Sequence, residues 1–170
     1  MVFGEGTQVY YSCSVTWRNQ FFVFGGYNHK RQISKLSGCK LTSVGTLAFD
    51  HYYAACSIAG DDVIYLCFNT NNADDYKKCR SAAEPLGNFT EIPLSTYEHR
   101  YTRIASSSSK FHVDFLQIVV DKLLIKFSDE ILAVGSYSPS NNKTEMFLTE
   151  ANRWFTLGDF PLDSDSKVNF

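Results

Sequence analysis

With 170 residues, 44% of them apolar and 15% aromatic, the chain is long enough and apolar enough for one packed domain. A formal net charge of −2 and a pI of about 6.1 leave no basic face, which excludes nucleic-acid binding as the main role. No apolar run approaches the ~20 residues of a helical membrane span, and the richest, 115–125, is interrupted by Gln117, Asp121 and Lys122.

Met1–Gly6 has neither a basic start nor a long apolar stretch, so no signal peptide is read there. Residues 1–7 are expected to be a linker or the end of a preceding strand. Tyr11–Trp17 is predicted as a first strand and Arg18-Asn19-Gln20 as a tight polar turn. The second strand is Phe21-Phe22-Val23-Phe24, which runs into Gly25-Gly26-Tyr27. Four bulky apolar residues in a row suit a strand buried on both faces. The glycine pair permits φ > 0 or close backbone approach, and would weaken a helix by about 1 kcal/mol per residue. The polar loop Asn28-His29-Lys30-Arg31 leads to a third strand, Gln32–Leu36, and the turn Ser37-Gly38 to a fourth, Cys39–Leu47.

The pattern then returns twice. Val63–Asn69 is a second apolar strand of this kind and Ile131–Tyr137 a third; the third keeps one glycine and the tyrosine, the second neither. The strand before each also recurs, as Gln8–Ser14, His51–Ser57 and His99–Ala105. This alignment sets Tyr10, Tyr53 and Tyr101 at one position and Cys13 level with Cys56. Closing strands recur as Leu41–Val44, Phe89–Ile92 and Trp154–Leu157. Three units follow, 8–50, 51–98 and 99–162, and a period of roughly 40–50 residues with four strands each is that of a β-propeller blade. In unit two the loop 69–75 is rich in turn formers and lacks the register of a calcium loop, so a polar hairpin is expected. Lys77, Lys78 and Arg80 beside Asp74 and Asp75 read as a solvated loop.

Unit three is longer than the others by about 20 residues, 111–130. Asp114, Gln117, Asp121 and Ser128 fall on one helical stripe, which suits an amphipathic helix packed on the sheet. Its Val, Ile and Phe residues also suit a strand. A third reading is non-coding sequence translated in frame, since the flanks join into a good hairpin; a major transcript containing the segment would exclude it. Residues 163–170 read as an exit linker.

FVFGGY, its polar loop, the strand Ile33–Leu36 and an aromatic-led closing strand resemble a kelch repeat. AVGSY, Thr144–Leu148 and Asn152-Arg153-Trp154 resemble it too, with Trp154 in the place of the kelch tryptophan. Unit two departs from the pattern and rests on spacing. The arrangement is similar to kelch-type propeller regions of secreted or cell-surface invertebrate proteins. The resemblance implies an all-β fold: a partial kelch-type β-propeller of four-stranded antiparallel blades, with an inserted helix or strand at about 111–130. Propellers close with at least four blades, so further blades, in a longer chain or from another copy, are expected. The kelch fold also resembles the galactose-oxidase propeller, whose copper site uses two tyrosines and two histidines, one tyrosine cross-linked to a cysteine. No motif maps onto that site, and no catalytic residue, cofactor or metal is carried over.

In a propeller, Cys67 and Cys79 lie on paired strands across the loop 69–75, which makes them the best disulfide candidate; closing so short a loop stabilises by about 2–3 kcal/mol. Cys13 and Cys56 can each reach Cys39, with one cysteine left over; the alternative is five free buried thiols. Zinc spacings are absent. Glycosylation sequons occur at Asn88 and Asn142. Sequons in turns and a cross-strand cysteine pair favour an extracellular origin over a cytoplasmic one. His51 and His99 recur at one repeat position, which argues for a structural role. No nucleophile elbow or phosphate loop exists.

The expected function is a non-catalytic module that binds a protein or glycan through the inter-strand loops 27–32, 69–77 and 137–143. The candidate residues are Asn28, His29, Lys30, Arg31, Asn71, Asn72, Asp74, Asp75, Ser138 and Asn141. The alternative is a fragment of a galactose-oxidase-like propeller enzyme.

Overall fold

The computed structural model describes residues 10–59, 62–69, 73–99, 103–106, 130–134 and 143–159. They form twelve strands and one short 3-10 helix, with no α-helix among the described residues. Blade one comprises β1 (Cys13–Trp17), β2 (Gln20–Phe24), β3 (Gln32–Ser37) and β4 (Lys40–Thr46). Blade two comprises β5 (Ala55–Ala59), β6 (Val63–Cys67), the 3-10 helix Ala73–Lys77, β7 (Cys79–Ala82) and β8 (Thr90–Glu91). Blade three comprises β9 (Arg103–Ser106), β10 (Ile131–Val134), β11 (Lys143–Leu148) and β12 (Arg153–Asp159). Each is an antiparallel meander whose neighbours in sequence are neighbours in the sheet. β1 lies against β5 and β5 against β9, so the first strand of each blade stands nearest the common axis.

The blades stack through two apolar layers. The first joins Val15, Phe22, Phe24 and Ile33 of blade one to Ile64 and Leu66 of blade two. The second joins Tyr65, Cys67 and Cys79 of blade two to Ile131, Ala133 and Phe147 of blade three. Alternation along β6 explains both: Ile64 and Leu66 face back, while Tyr65 and Cys67 face forward. This is why β6 is apolar on both faces. The closing-strand aromatics reach back as well. Phe89 packs edge-on against Phe24 and Phe49 at 6.0 and 6.1 Å. Trp154 sits 5.3 Å from Phe147 and 5.9 Å from Phe68, and its Nε1 donates to the Pro93 carbonyl of the preceding blade at 2.9 Å. Trp154→Ala is therefore expected to cost about 3–5 kcal/mol; a urea titration showing under about 0.5 kcal/mol would contradict this core role.

The repeat alignment needs one correction. Cys13 pairs with Phe24, and Ala55 pairs with Cys67 at the same level of blade two. So Tyr11, not Tyr10, matches Tyr53, and both hold left-handed backbones, with φ of 60° and 49°. Tyr101 lies outside the described residues. Cys13 matches Ala55, one residue short of Cys56. A slip of one residue turns a side chain to the opposite face of a strand. Cys13 thus faces forward from blade one and Cys56 backward from blade two, and the two form a disulfide with Cα atoms 5.7 Å apart. Had they been equivalent, they would have pointed the same way. The pairing with Cys39 is overturned: Cys39 lies in the β3–β4 turn, at the far end of blade one from Cys13, as an exposed free thiol. Cys67 and Cys79 do form a disulfide across β6 and β7, with Cα atoms 4.0 Å apart.

Two further expectations change. The stretch around Lys77–Arg80 is not a solvated loop but the end of the 3-10 helix and the start of β7. Arg80 lies over the Phe49 ring at 4.1 Å and donates to Glu91 Oε1 at 2.7 Å. Its guanidinium thus lies on an aromatic face while keeping a carboxylate partner. Unit two, which lacks the glycine pair, keeps the backbone shape regardless. Phe68 takes φ 61°, the counterpart of Gly25 at 62°. Both amides bond back to the start of the next strand region, Gly25 N–H to Gln32 O and Phe68 N–H to Lys78 O, each at 2.8 Å. The buried ring repays the left-handed backbone by packing against His99 and Trp154.

Of the insertion 111–130, all but Glu130 lies outside the described residues. β9 and β10 nevertheless pair, with Ser106 opposite Ile131, so the flanks form the expected hairpin.

Candidate functional site

In blades one and two the loops between the second and third strands and the described lead-in residues meet at one end of the sheets. Their backbones interlock by a repeated rule. His51 N–H donates to Lys30 O at 2.7 Å, and His99 N–H donates to Tyr76 O at 2.9 Å, so the loops of blades one and two each receive the lead-in of the next blade. Gly26 N–H returns a bond to His51 O at 2.9 Å. In blade two, where asparagine replaces that glycine, the Asn69 side chain instead bonds to the lead-in of its own blade: Nδ2 donates to Asp50 O at 2.8 Å and Oδ1 accepts from Tyr52 N–H at 3.3 Å.

Both repeat histidines are buried within these junctions, at 1% exposure. His51 Nε2 lies 3.2 Å from Cys13 Sγ; a disulfide sulfur can only accept, so the ring N–H donates. Desolvation, and secondarily the charge of Arg80, push its pKa down from 6.5 to about 3. The folded chain therefore refuses a proton that the unfolded chain takes up near pH 6.5. Stability from this group is complete above that pH and declines as pH falls toward 3, by about 2 kcal/mol at pH 5. Urea midpoints at pH 7 and pH 5 test this: His51→Leu should lose the difference, and an equal decline in the variant would contradict the assignment.

His99 Nε2 donates to Glu145 Oε2 at 2.8 Å. Glu145, on β11 of blade three, is fully buried and also accepts from the amides of Thr96 and Tyr97, each at 3.0 Å. Burial alone would raise its pKa, but these hydrogen bonds outweigh it and hold the carboxyl below its ordinary value.

The candidate loop residues divide. Asn28, His29, Arg31 and Asp74 are exposed at this end, and Lys30 is half-buried. Arg31 pairs with Asp50 at 2.7 Å. Asp75 turns inward instead: its carboxylate accepts from Asn69 Nδ2 at 3.4 Å and pairs with Lys78 at 3.1 Å, because a buried charge needs partners. Asn71, Asn72, Ser138, Asn141 and Asn142 lie outside the described residues. Asn88 is exposed on the approach to β8.

Sequence reasoning missed a cluster of tyrosines at the same end. Tyr11 and Tyr53 stack with centroids 3.6 Å apart. Tyr10 adjoins Tyr11 at 6.4 Å, Tyr52 adjoins Tyr53 at 5.5 Å, and Tyr27 meets Tyr52 at 6.3 Å. Lys30 Nζ lies 4.5 Å above the Tyr52 ring. The signal was present as two Tyr-Tyr pairs, 10–11 and 52–53, and the tyrosine closing FFVFGGY.

Among the described residues no three His, Cys, Asp or Glu side chains converge as a metal site. No helix among them is long and apolar enough to cross a membrane.

No protein-family model and no curated protein matches the chain. Among solved structures it is similar to a fungal alcohol oxidase of the AA5 family in complex with copper, at 12% identity and a TM-score of 0.56. The likeness covers 86% of this chain and 30% of the oxidase, so the chain spans less than a third of that protein's length. At this identity the likeness shows the fold, a β-propeller arc of four-stranded blades.

The described residues do not fit a copper site of two tyrosines and two histidines with a tyrosine–cysteine cross-link. His51 and His99 sit in successive blade junctions, bonded to a disulfide sulfur and to Glu145. Four of the five cysteines are in disulfides, and the fifth lies in the exposed β3–β4 turn, at the end away from the tyrosines.

Proposed function

We propose that the chain is a non-catalytic kelch-type propeller module that binds a protein or glycan through the loop end of its blades. The observation that carries this reading is the division of labour at that end. Backbone bonds and buried side chains fix the junctions, while Asn28, His29 and Asp74 stand exposed on the same end, beside the equally exposed Arg31 that pairs with Asp50. Rigid scaffolds with variable exposed loops are a common way of building binding faces. The test is capture of extracellular proteins and glycans by the immobilised chain, compared with a variant carrying alanine at those four positions. Loss of a ligand at unchanged melting temperature supports the reading; equal capture by both overturns it.

The module works outside the cytoplasm on this reading. Two disulfides and an exposed Asn88 sequon support that placement. Further blades, in a longer chain or from another copy, complete the ring, because three blades leave strand edges unpaired. The intact, non-reduced mass of the endogenous protein before and after glycan removal tests both: a species of 19.3 kDa with five free thiols would contradict them.

A second reading, a piece of a propeller oxidase, is favoured by the likeness to the fungal alcohol oxidase. Copper uptake with peroxide release from an alcohol substrate would establish it.

A further inference from the structure

The tyrosine cluster has properties that packing does not account for. Tyr10, Tyr11 and Tyr27 are 54%, 51% and 57% exposed, and they are the only large exposed aromatics among the described residues. The other large exposed apolar side chains are the aliphatic Val44, Leu86 and Leu94. The rings are also held in place. Tyr27 N–H donates to Tyr10 O at 2.8 Å and Tyr53 N–H to Tyr11 O at 2.9 Å, which ties the lead-ins of two blades to the glycine-pair loop; the rings they carry touch in series, at 23° to 69° to one another, and form one uneven plate. Tyr11 and Tyr53 do this in left-handed backbone, which costs a side-chain-bearing residue roughly 1–2 kcal/mol. Phe68 accepts the same conformation but recovers it by full burial. Tyr11 recovers less, since its ring stacks on Tyr53 but half of the residue faces water.

We propose that this plate is a sugar-stacking platform, the binding surface of the module for an oligosaccharide. The proposal rests on the reading of the chain as a binding module and names its site and ligand class. Size separates a sugar from a protein. A tyrosine side chain presents about 150–250 Å², so three rings about half exposed offer roughly 300 Å². A stable protein interface needs about 800 Å² from each partner. The plate is too small for that and large enough for one or two sugar rings. Chemistry points the same way. A pyranose has an apolar C–H face and a rim of hydroxyls; a tyrosine has a flat apolar face and a phenol that both donates and accepts. Exposed Asn28 and His29 flank the rings with further hydrogen-bonding groups. Aliphatic side chains, which a lipid or an apolar peptide would need, are absent from the plate. Fixing the rings before binding lowers the entropy lost on association.

The test is calorimetric titration of the intact, disulfide-bonded chain with cellohexaose, chitohexaose, mannohexaose and a galactose hexamer. At least one should bind. Tyr10→Ala and Tyr27→Ala should each weaken it by roughly tenfold, the loss of one stacking contact. Tyr27→Phe should bind nearly as the parent, because the ring face is kept, and melting temperatures should not move. No binding of any hexasaccharide at millimolar concentration overturns the sugar assignment. Binding that survives the combined Tyr10→Ala/Tyr27→Ala change but is lost with alanine at Asn28, His29, Arg31 and Asp74 overturns the platform, while leaving the binding-module reading intact.

Discussion

Replacing Gly25 with alanine is expected to destabilise the chain by more than about 4 kcal/mol, among the largest effects a single methyl group can have. Two causes add. The residue sits at φ 62°, where a Cβ costs about 1–2 kcal/mol. The new methyl would also overlap the carbonyl oxygen of His51 and come within 3.0 Å of Lys30 O. Neither is a flexible tip that can swing away. To make room the blade-two lead-in must retreat, which breaks the bonds from Gly26 N–H to His51 O and from His51 N–H to Lys30 O. Gly38→Ala is the control. It has the same left-handed φ, 60°, but nothing within 4 Å of the added methyl. It should cost only the conformational part, about 1–2 kcal/mol. Chemical denaturation of both variants separates the causes; similar losses would show that the His51 contact is not what makes Gly25 necessary.

Glu145→Ala is expected to cost roughly 4–6 kcal/mol. The carboxylate collects three donors that all lie on the connection from blade two to blade three: the amides of Thr96 and Tyr97 and the His99 ring. An orphaned buried donor costs about 1–3 kcal/mol, and a hydrogen bond to a charged group is worth about 1.5–3 kcal/mol. Glu145→Gln keeps the size and one acceptor oxygen, and should recover part of the loss. Since the folded pKa lies below 4.5, the contribution is complete above that pH and disappears as pH falls through the lowered value. Differential scanning at pH 7 would settle the size. A drop smaller than that of an exposed control such as Glu84→Ala would contradict the view that this residue fastens blade three to blade two.

Much of the fold was legible because the determinants are local and repeat. Four bulky residues before a glycine pair read as a doubly buried strand, and β2 is one. Trp154 falls level with Phe89 and Leu41 in the closing strands, as their spacing implied; that the two aromatics pack backward onto the preceding blade is shown only by the structure. The Cys67–Cys79 bridge followed from facing positions on adjacent strands. What escaped depended on a single residue of register. Gln8–Ser14 and His51–Ser57 align well by residue type, yet backbone pairing shifts them by one, and that shift decides which face each cysteine occupies. Asp75 reads as a loop acid, and nothing in NTNNADD reveals that Asn69 folds over to receive it. Glu145 was invisible for a similar reason. Its partners lie 46 to 49 residues away, in the lead-in to its own blade, and a lone glutamate in an apolar strand gives no hint of them. The tyrosines were visible as pairs, but only tertiary stacking brings rings from two blades to one plate.

The position of Cys39 has a practical side. Four of the five cysteines are locked in disulfides, so the chain carries one reactive sulfur, in the turn at the end of blade one remote from the tyrosines. A maleimide surface or dye would therefore couple at a single, known point. Every molecule on such a surface would stand with its tyrosines outward, so a sensor chip prepared this way would present one uniform orientation without an engineered tag.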